Sequence, residues 1–254
     1  MKVNPILDRK WIEDNFSTLA PWQQTAYQAF TTMIADDKNT YPCIPGRQGF
    51  LANHLRFSFI ADPRTENAPH QLATAIQTYG MCSRNTGTYA SLVTLFETPQ
   101  DMQTQYTIED YRQLFWNLLN QLTPLDPSPW PAEIPSQPTD PKWEFCFGGE
   151  PYFAFCATPA HQTRKSRRAE NFLIAFQPRW VFTHINQSTH LGKTMKQAIR
   201  KRLIQYDGKP AHPDLKWYGE GDNLEWKQYF LSDDDLSPSK CPFQRLKEKQ
   251  TYLH

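Results

Sequence analysis

Few of the features that mark a nucleotide-binding, disulfide-rich or membrane-spanning protein occur in this 254-residue chain. It has 10 Gly against 21 Pro, and no apolar run approaches the roughly 20 residues that a transmembrane helix needs. Its five cysteines form no C-x-x-C pair, which predicts free thiols in a reducing compartment. The charged N-terminal segment lacks the apolar centre of a signal peptide. These absences predict a cytoplasmic protein that does not bind a membrane.

The charge balance also lacks an excess of either sign. The chain has 27 Lys plus Arg against 26 Asp plus Glu, a net charge of +1, so no overall field attracts nucleic acid. Aromatic residues make up 14% of the chain, too many for a disordered protein. The length predicts a single domain over 1–254, with the proline-rich stretch 123–142 as a loop inside it.

Several catalytic motifs with a known mechanism are missing as well. The chain contains no H-E-x-x-H zinc motif, no G-x-S-x-G hydrolase turn, no Walker phosphate loop and no G-x-G-x-x-G dinucleotide motif. Any chemistry must therefore come from residues outside these motifs.

Hydrophobic periodicity predicts the fold class. An apolar stripe that includes Tyr111, Phe115 and Leu118 predicts an amphipathic helix over 107–122. A Gly-Gly turn predicts a hairpin between two neighbouring strands. The predicted strands cover 49–60, 88–97, 143–149, 151–159, 172–178 and 179–185. This order predicts an α+β fold with a mainly antiparallel central sheet and flanking helices at both ends.

The segment AHQTRKSRR (160–168) follows a predicted strand and combines a histidine with several cations. His161 can ligate a metal or a haem, and Arg164 and Arg167 can hold carboxylates or phosphates. A solvated basic loop explains the same residues equally well.

Two shorter segments hold further candidates. In FQPRW, Arg179 stands between a strand-breaking proline and a tryptophan, so it can point into a pocket or extend to water at a strand corner. In YPCIPG, Cys43 lies between two prolines and is either a thiolate nucleophile, a haem ligand or a small buried side chain.

Taken in order, these segments resemble the YqcI/YcgG family. The resemblance covers roughly residues 40 to 235 and includes, besides YPCIPG, the segments FCFGGEPYFAFCATPAHQTRKSRR, FLIAFQPRWVF and IRKRLIQYDG and an acidic tail. The family includes GntA-type haem-dependent N-hydroxylases that oxidise guanidine nitrogens. The resemblance therefore implies a haem-dependent monooxygenase acting on a guanidine or amine such as arginine. No C-x-x-C-H is present, so the implied haem b is bound non-covalently.

The resemblance also gives the haem-binding candidates their roles. His161 is expected to be the metal ligand, oriented by Thr158 or a backbone carbonyl, with Cys43 as the rival ligand. His54 and His184 are the fallback ligands. The cations Arg164, Arg167 and Arg179 are expected to anchor the haem propionates.

A cationic substrate needs a carboxylate partner, because an unpaired buried cation is costly. Glu150, beside the Gly-Gly turn, is the first candidate for this catalytic role and Glu144 is the second. The expected co-reactants are dioxygen and an external electron donor resembling ferredoxin or flavodoxin. A non-catalytic haem-binding or haem-sensing protein is the alternative, and a thiol enzyme built on Cys43 is a weaker third. The sequence does not specify the exact substrate, the reductant or the oligomeric state.

Overall fold

The computed structural model describes residues 4–183 and 189–245. The strands are β1 (Leu7–Asp8), β2 (Leu55–Ile60), β3 (Ser91–Phe96), β4 (Phe145–Phe147), β5 (Glu150–Ala157) and β6 (Leu173–Pro178). The helices in these ranges are α1 (Arg9–Asp14), α2 (Pro21–Ala35), α3 (Ile44–Leu51), α4 (Ala68–Cys82), α5 (Gln100–Gln105), α6 (Ile108–Leu122), α7 (His190–Asp207) and α8 (Trp226–Tyr229). No helix in this part of the chain is both long enough and apolar enough to span a membrane.

All six strands form one sheet in the order β1-β2-β3-β6-β5-β4. Every neighbouring pair is antiparallel except β2 and β3. The predicted α+β class with a mainly antiparallel sheet is therefore confirmed, but the parallel pair was not predicted. It arises because α4 lies in the connection between β2 and β3, and such a crossover returns the chain in the same direction. The helices consequently lie between strands as well as at the two ends.

Two predicted strand boundaries were wrong, and in each case a proline near the boundary explains the difference. Pro45 lies in the first turn of α3, where its missing N–H costs nothing, so 44–51 is helical and the strand begins only at Leu55. Pro178 ends β6, and Arg179–Phe182 forms a short 3-10 turn where a strand was predicted over 179–185, of which 184 and 185 lie outside the described residues.

Side chains alternate between the two faces of the sheet, and each face has its own apolar cluster. On β3, Leu92 and Phe96 pack with α4 and α6 on the first face, whereas Val93 and Leu95 pack with α2 and α3 on the second. The second face is thus covered by α2 and α3 over β2 and β3, while α7 lies over the half formed by β5 and β6.

The β4–β5 hairpin was predicted correctly. Phe147 pairs with Glu150, which leaves Gly148 and Gly149 as a two-residue turn. Their φ angles are 62° and 76°, and this left-handed region at both positions is typical of the type I′ turn that glycine favours.

The predicted helix over 107–122 is also present, as α6. Thr107 is its N-cap, and its hydroxyl accepts from the Asp110 N–H while the Asp110 carboxylate accepts from the Thr107 N–H. The proline-rich loop that follows packs on the core, because Trp130 stacks on Trp143 with the ring centroids 6.3 Å apart.

Candidate active-site cavity

A cavity of about 430 Å³ lies between the second face of the sheet and α7. Phe153 and Phe155 of β5 point into it, because they alternate with Ala154 and Cys156, which are buried on the first face. From α7, Met195, Ile199 and Leu203 line the opposite wall at successive helical turns. The walls are therefore largely apolar, and charged side chains lie near the ends of β5 and β6 and also on α7, where they are Lys196, Arg200 and Asp207.

An acidic cluster forms one part of the cavity wall. Arg179, directly after β6, donates from Nε to the Glu144 carboxylate over 2.5 Å and makes a second hydrogen bond to it from Nη2. The same Nη2 lies 3.1 Å from Oε1 of Glu225, the N-cap residue of α8. The other Glu225 oxygen accepts from Asn223 at 2.9 Å and from Gln228 at 3.3 Å. We call Glu144, Arg179 and Glu225 the acidic cluster, since two carboxylates share one guanidinium.

The three members of the acidic cluster differ in their access to the cavity. Arg179 and Glu225 line it, whereas Glu144 is fully buried behind them. Burial raises the pKa of Glu144 to about 7, even though the Arg179 guanidinium acts to lower it and the neighbouring Glu225 adds to the rise. Arg179 also lies 3.5 Å from the centroid of the Tyr218 ring, which holds the guanidinium in place.

Arg167 provides an opposite charge in the same cavity. It is 5% exposed, and its guanidinium donates to three backbone carbonyls, those of Cys156, Tyr229 and Gln228, at 2.9 to 3.3 Å. It lies 4.3 Å from the Phe155 ring centroid. No carboxylate of the described residues forms an ion pair with it. Burial lowers the pKa of Arg167 to about 10, although the carboxylate of Asp207, which also lines the cavity, acts to raise it.

Arg164 lines the cavity next to Arg167 and is only partly neutralised. Its Nη2 lies 2.5 Å from Asp235, whose side chain is 64% exposed, and its Nη1 donates to the Pro210 carbonyl. Its Nε is buried and has no hydrogen-bond partner among the described residues. Arg164 and Arg167 together leave donor capacity at their part of the cavity, where Asp207 is a nearby carboxylate.

His161 is buried away from this cavity, and both of its ring nitrogens are hydrogen-bonded. Nε2 lies 2.8 Å from the Leu231 carbonyl, which can only accept, so Nε2 carries the proton. Nδ1 lies 2.9 Å from the Thr158 hydroxyl and therefore accepts from it. Burial lowers the pKa of His161 to about 4. Ligation of a metal by His161 would require the loss of one of these two bonds.

Of the other predicted residues, Cys43 lines the cavity, whereas Glu150 and His54 do not. Cys43 lines the cavity as the N-cap of α3; its Sγ accepts from the Gly46 N–H at 3.4 Å, and burial raises the pKa of its thiol. Glu150 does not line the cavity and pairs with Arg84 at 3.1 Å. His54 also does not line it, and its Nδ1 accepts from the Tyr89 N–H. His184 lies outside the described residues.

The structure thus brings together Cys43, Arg164, Arg167 and Arg179 and separates them from His161, Glu150 and His54. Sequence reasoning missed Glu225, which lies 46 residues from Arg179 in a segment with no recognisable motif. In the described part of the chain, no three ligating side chains are grouped so that they could hold a metal ion.

Comparison with known proteins identifies a family and relatives that match most of the chain. The sequence profile of the YqcI/YcgG family matches residues 30–244. The chain is 50% identical to the uncharacterized protein YcgG of Bacillus subtilis (strain 168) over 245 residues, 96% of this chain and 97% of YcgG. It is 52% identical to the uncharacterized protein YqcI of the same organism over 230 residues, 91% of each chain.

A more distant relative has a name that states an activity. The chain is 31% identical, over 228 residues, to a Streptomyces lavendulae protein named "Putative N(omega)-hydroxy-L-arginine synthase DcsA". The match covers 87% of this chain and 84% of that protein. No solved structure matches the chain significantly.

Proposed function

The chain belongs to the YqcI/YcgG family, and on that premise we propose that it hydroxylates a nitrogen of an arginine-like substrate. The name of the Streptomyces lavendulae relative supports N-hydroxylation at the level of the family. Such a reaction takes the N–H of the substrate, dioxygen, two electrons and two protons to the N–OH product and water. The chain shows no flavin or nicotinamide motif, so we propose an external donor resembling ferredoxin or flavodoxin.

The observation that carries this proposal is the pairing of unbalanced charges in one cavity. Arg167 is a buried cation without an ion-pair partner among the described residues, and the acidic cluster has two carboxylates for one guanidinium. A ligand with a carboxylate and a cationic group balances both. We propose that the arginine carboxylate binds Arg167 and Arg164, and that its guanidinium binds Glu225.

The residues of the chain then have separate roles in the reaction. Glu225 orients the guanidinium through its cavity-facing carboxylate, which Arg179 and two side-chain amides hold in place. Phe153 and Phe155 exclude water from the reacting nitrogen. Glu144 binds Arg179 and lies behind the wall, while Glu150, the first candidate from the sequence, pairs with Arg84 elsewhere.

We propose haem b as the oxygen-activating cofactor, as the family resemblance implies; a bound haem supplies the redox centre for dioxygen. The residues fit a haem in part. The apolar walls suit a porphyrin, and Cys43 places a sulfur donor at the cavity, but Arg164 and Arg167 hold a propionate only where they do not hold the substrate carboxylate. Arg179 is already neutralised by two glutamates of the chain, and His161 would have to give up a hydrogen bond. The axial ligand is therefore proposed among Cys43, His161, His54 and His184.

Non-catalytic haem binding is the second candidate, because Arg167 and the apolar walls suit a propionate as well as a substrate carboxylate. A thiol enzyme has less support. Burial raises the pKa of the Cys43 thiol, so burial disfavours the thiolate that would attack a substrate.

Incubation of the purified protein with L-arginine, a reducing system and ¹⁸O₂ tests the proposal. We expect a product in which one ¹⁸O is bound to a guanidine nitrogen, detected by mass spectrometry, and a Soret band in the protein spectrum. A Soret band without an oxygenated product across a panel of guanidines and amines would favour haem binding alone. Absence of both would contradict the proposal.

A further inference from the structure

Glu144 is unusual because it does not line the cavity, yet its carboxylate binds Arg179, which does. It is 0% exposed, and both of its oxygens accept from Arg179. Arg179 is therefore largely neutralised by Glu144, and Glu225 obtains only one contact from the same guanidinium. With both glutamates ionised, the acidic cluster therefore carries one negative charge that Arg179 does not balance.

The charges around the acidic cluster offset this excess only in part, through Lys196, which lines the cavity and is attracted to Glu225. The ionisable groups that face it from neighbouring elements are Cys146 on β4, Glu150 on β5, Lys196 on α7, Tyr218 in the segment before α8, and Tyr229 on α8. Lys196 is the cation in this set, and its Nζ lies 4.0 Å from the centroid of the Trp217 ring. No ion pair joins Lys196 to either glutamate in the described part of the chain.

A buried cluster with an excess charge needs a compensating proton or ion, since an unpaired buried charge is costly. A second observation indicates that the cavity is built for a charged ligand. Arg167, 5% exposed, lines the same cavity without an ion-pair partner in the described ranges, and the buried Nε of Arg164 is unpartnered. The acidic cluster is thus one of two oppositely charged parts of a single binding site.

We propose that Glu144 is the specificity-determining residue of this cavity: the acidic cluster holds one proton in the free protein and exchanges it for the cation of the substrate. This inference rests on the proposed function, because it assumes that a cationic group binds at Glu225. Glu144 acts through Arg179 and Glu225, so it is a positioning residue that does not touch the ligand. The exchange is a proton transfer from the cluster to solvent, with no redox change.

The pH dependence follows from the position of the proton. Burial raises the pKa of Glu144 to about 7 in the free protein, and a bound cation must lower it. Binding therefore releases a proton from the acidic cluster below the pKa of Glu144 and none from Glu144 above it. As far as Glu144 controls it, the affinity for a cationic ligand rises with pH until Glu144 is ionised.

Infrared spectroscopy of the free protein tests the first half of the proposal. We expect a protonated-carboxyl band that titrates near neutral pH, is absent from Glu144→Gln, and disappears when L-arginine is added. Glu109→Gln is the matched control, since Glu109 pairs with Arg112 on α6, across the sheet from the cavity. If Glu144→Gln and the wild-type protein have the same bands, the proposal is wrong whatever ligand binds.

Calorimetry with L-arginine and L-citrulline, its neutral counterpart, tests the second half. We expect the wild-type preference for arginine to fall by at least about tenfold in Glu144→Gln, and the proton release to vanish. Glu144→Asp should restore proton release, which a purely structural role would not predict. Titration in buffers with different ionisation enthalpies gives the proton count.

The outcomes separate this inference from the proposed function. If arginine binds the wild-type protein with no proton release at any pH, the proposed ligand stands and the role of Glu144 is wrong. If arginine does not bind, the proposed substrate is wrong, and methylguanidinium then probes the acidic cluster alone. Proton release by methylguanidinium in the wild-type protein but not in Glu144→Gln would support the inference, and its absence would overturn it.

Discussion

At the scale of single residues, the charged groups of the cavity differ in whether their hydrogen-bond partners neutralise them. Arg167 donates to backbone carbonyls, which fix its planar guanidinium without neutralising it. A lysine keeps the charge but cannot make the same set of directed contacts. Arg167 therefore contributes orientation as well as charge to the binding of a carboxylate.

We expect Arg167→Lys to weaken binding of L-arginine by at least about tenfold, because a two-point contact with the carboxylate is lost. Agmatine, which has the guanidinium but lacks the carboxylate, should bind the variant and the wild-type protein equally. Calorimetry with the two ligands measures the difference. An equal loss for both ligands would show that the variant disturbs the cavity itself and would contradict the assigned contact.

His161 is expected to contribute to stability, since both ring nitrogens are bonded inside the protein. His161→Ala should lower the free energy of unfolding by about 1–3 kcal/mol at neutral pH, because Thr158 and the Leu231 carbonyl lose their partner. Urea unfolding measures this change. The haem spectrum of the folded variant gives the independent result: loss of the Soret band would make His161 the ligand, as the sequence predicted.

The same histidine predicts a pH effect. Burial lowers the pKa of His161 to about 4, below the value of about 6.5 in an unfolded chain. The unfolded state then binds more protons in this interval, so the stability that His161 contributes is present above about pH 6.5 and is lost as the pH falls towards 4. His161→Ala should have a smaller loss of stability between about pH 6.5 and 4 than the wild-type protein, as measured by urea unfolding across this range.

At the scale of elements, sequence patterns were sufficient where the cause is local. The β4–β5 hairpin follows from two adjacent glycines, and α6 follows from a stripe of apolar residues with its own capping box. The start of α3 and the end of β6 were misplaced, because Pro45 and Pro178 change the backbone in ways that depend on neighbouring elements. Local chemistry therefore predicted the elements better than their boundaries.

The hairpin supplies a prediction about stability. Gly149 has a φ of 76°, which costs an L-residue roughly 1–2 kcal/mol, so Gly149→Ala should lower the free energy of unfolding by that amount. Gly221 is the control, because a Cβ added there meets no atom within 4 Å and its φ is not in the left-handed region. Chemical denaturation of both variants should show a loss for Gly149→Ala alone, and equal stabilities would contradict the turn assignment.

At the scale of the whole molecule, the cavity could be predicted only in part. The segments around Cys43, Arg164, Arg167 and Arg179 were identified from the sequence, and the fold brings all four to one cavity. Glu225 and the burial of Glu144 depend on contacts between residues 35 and 46 positions apart, for which one sequence carries no signal. The ligand role of His161 stays a prediction, because a buried histidine with two internal partners looks the same in sequence as a ligand.

The unequal charges at Arg167 and the acidic cluster have a consequence for how the substrate can be identified. Burying Arg167 and the acidic cluster costs the folded chain free energy, and a ligand of complementary charge removes this cost. Binding of such a ligand therefore also stabilises the folded state. The natural ligand should therefore raise the melting temperature more than a molecule that carries only one of the two charges. Libraries of zwitterions can be ranked by melting temperature alone, before any reductant or turnover assay is known.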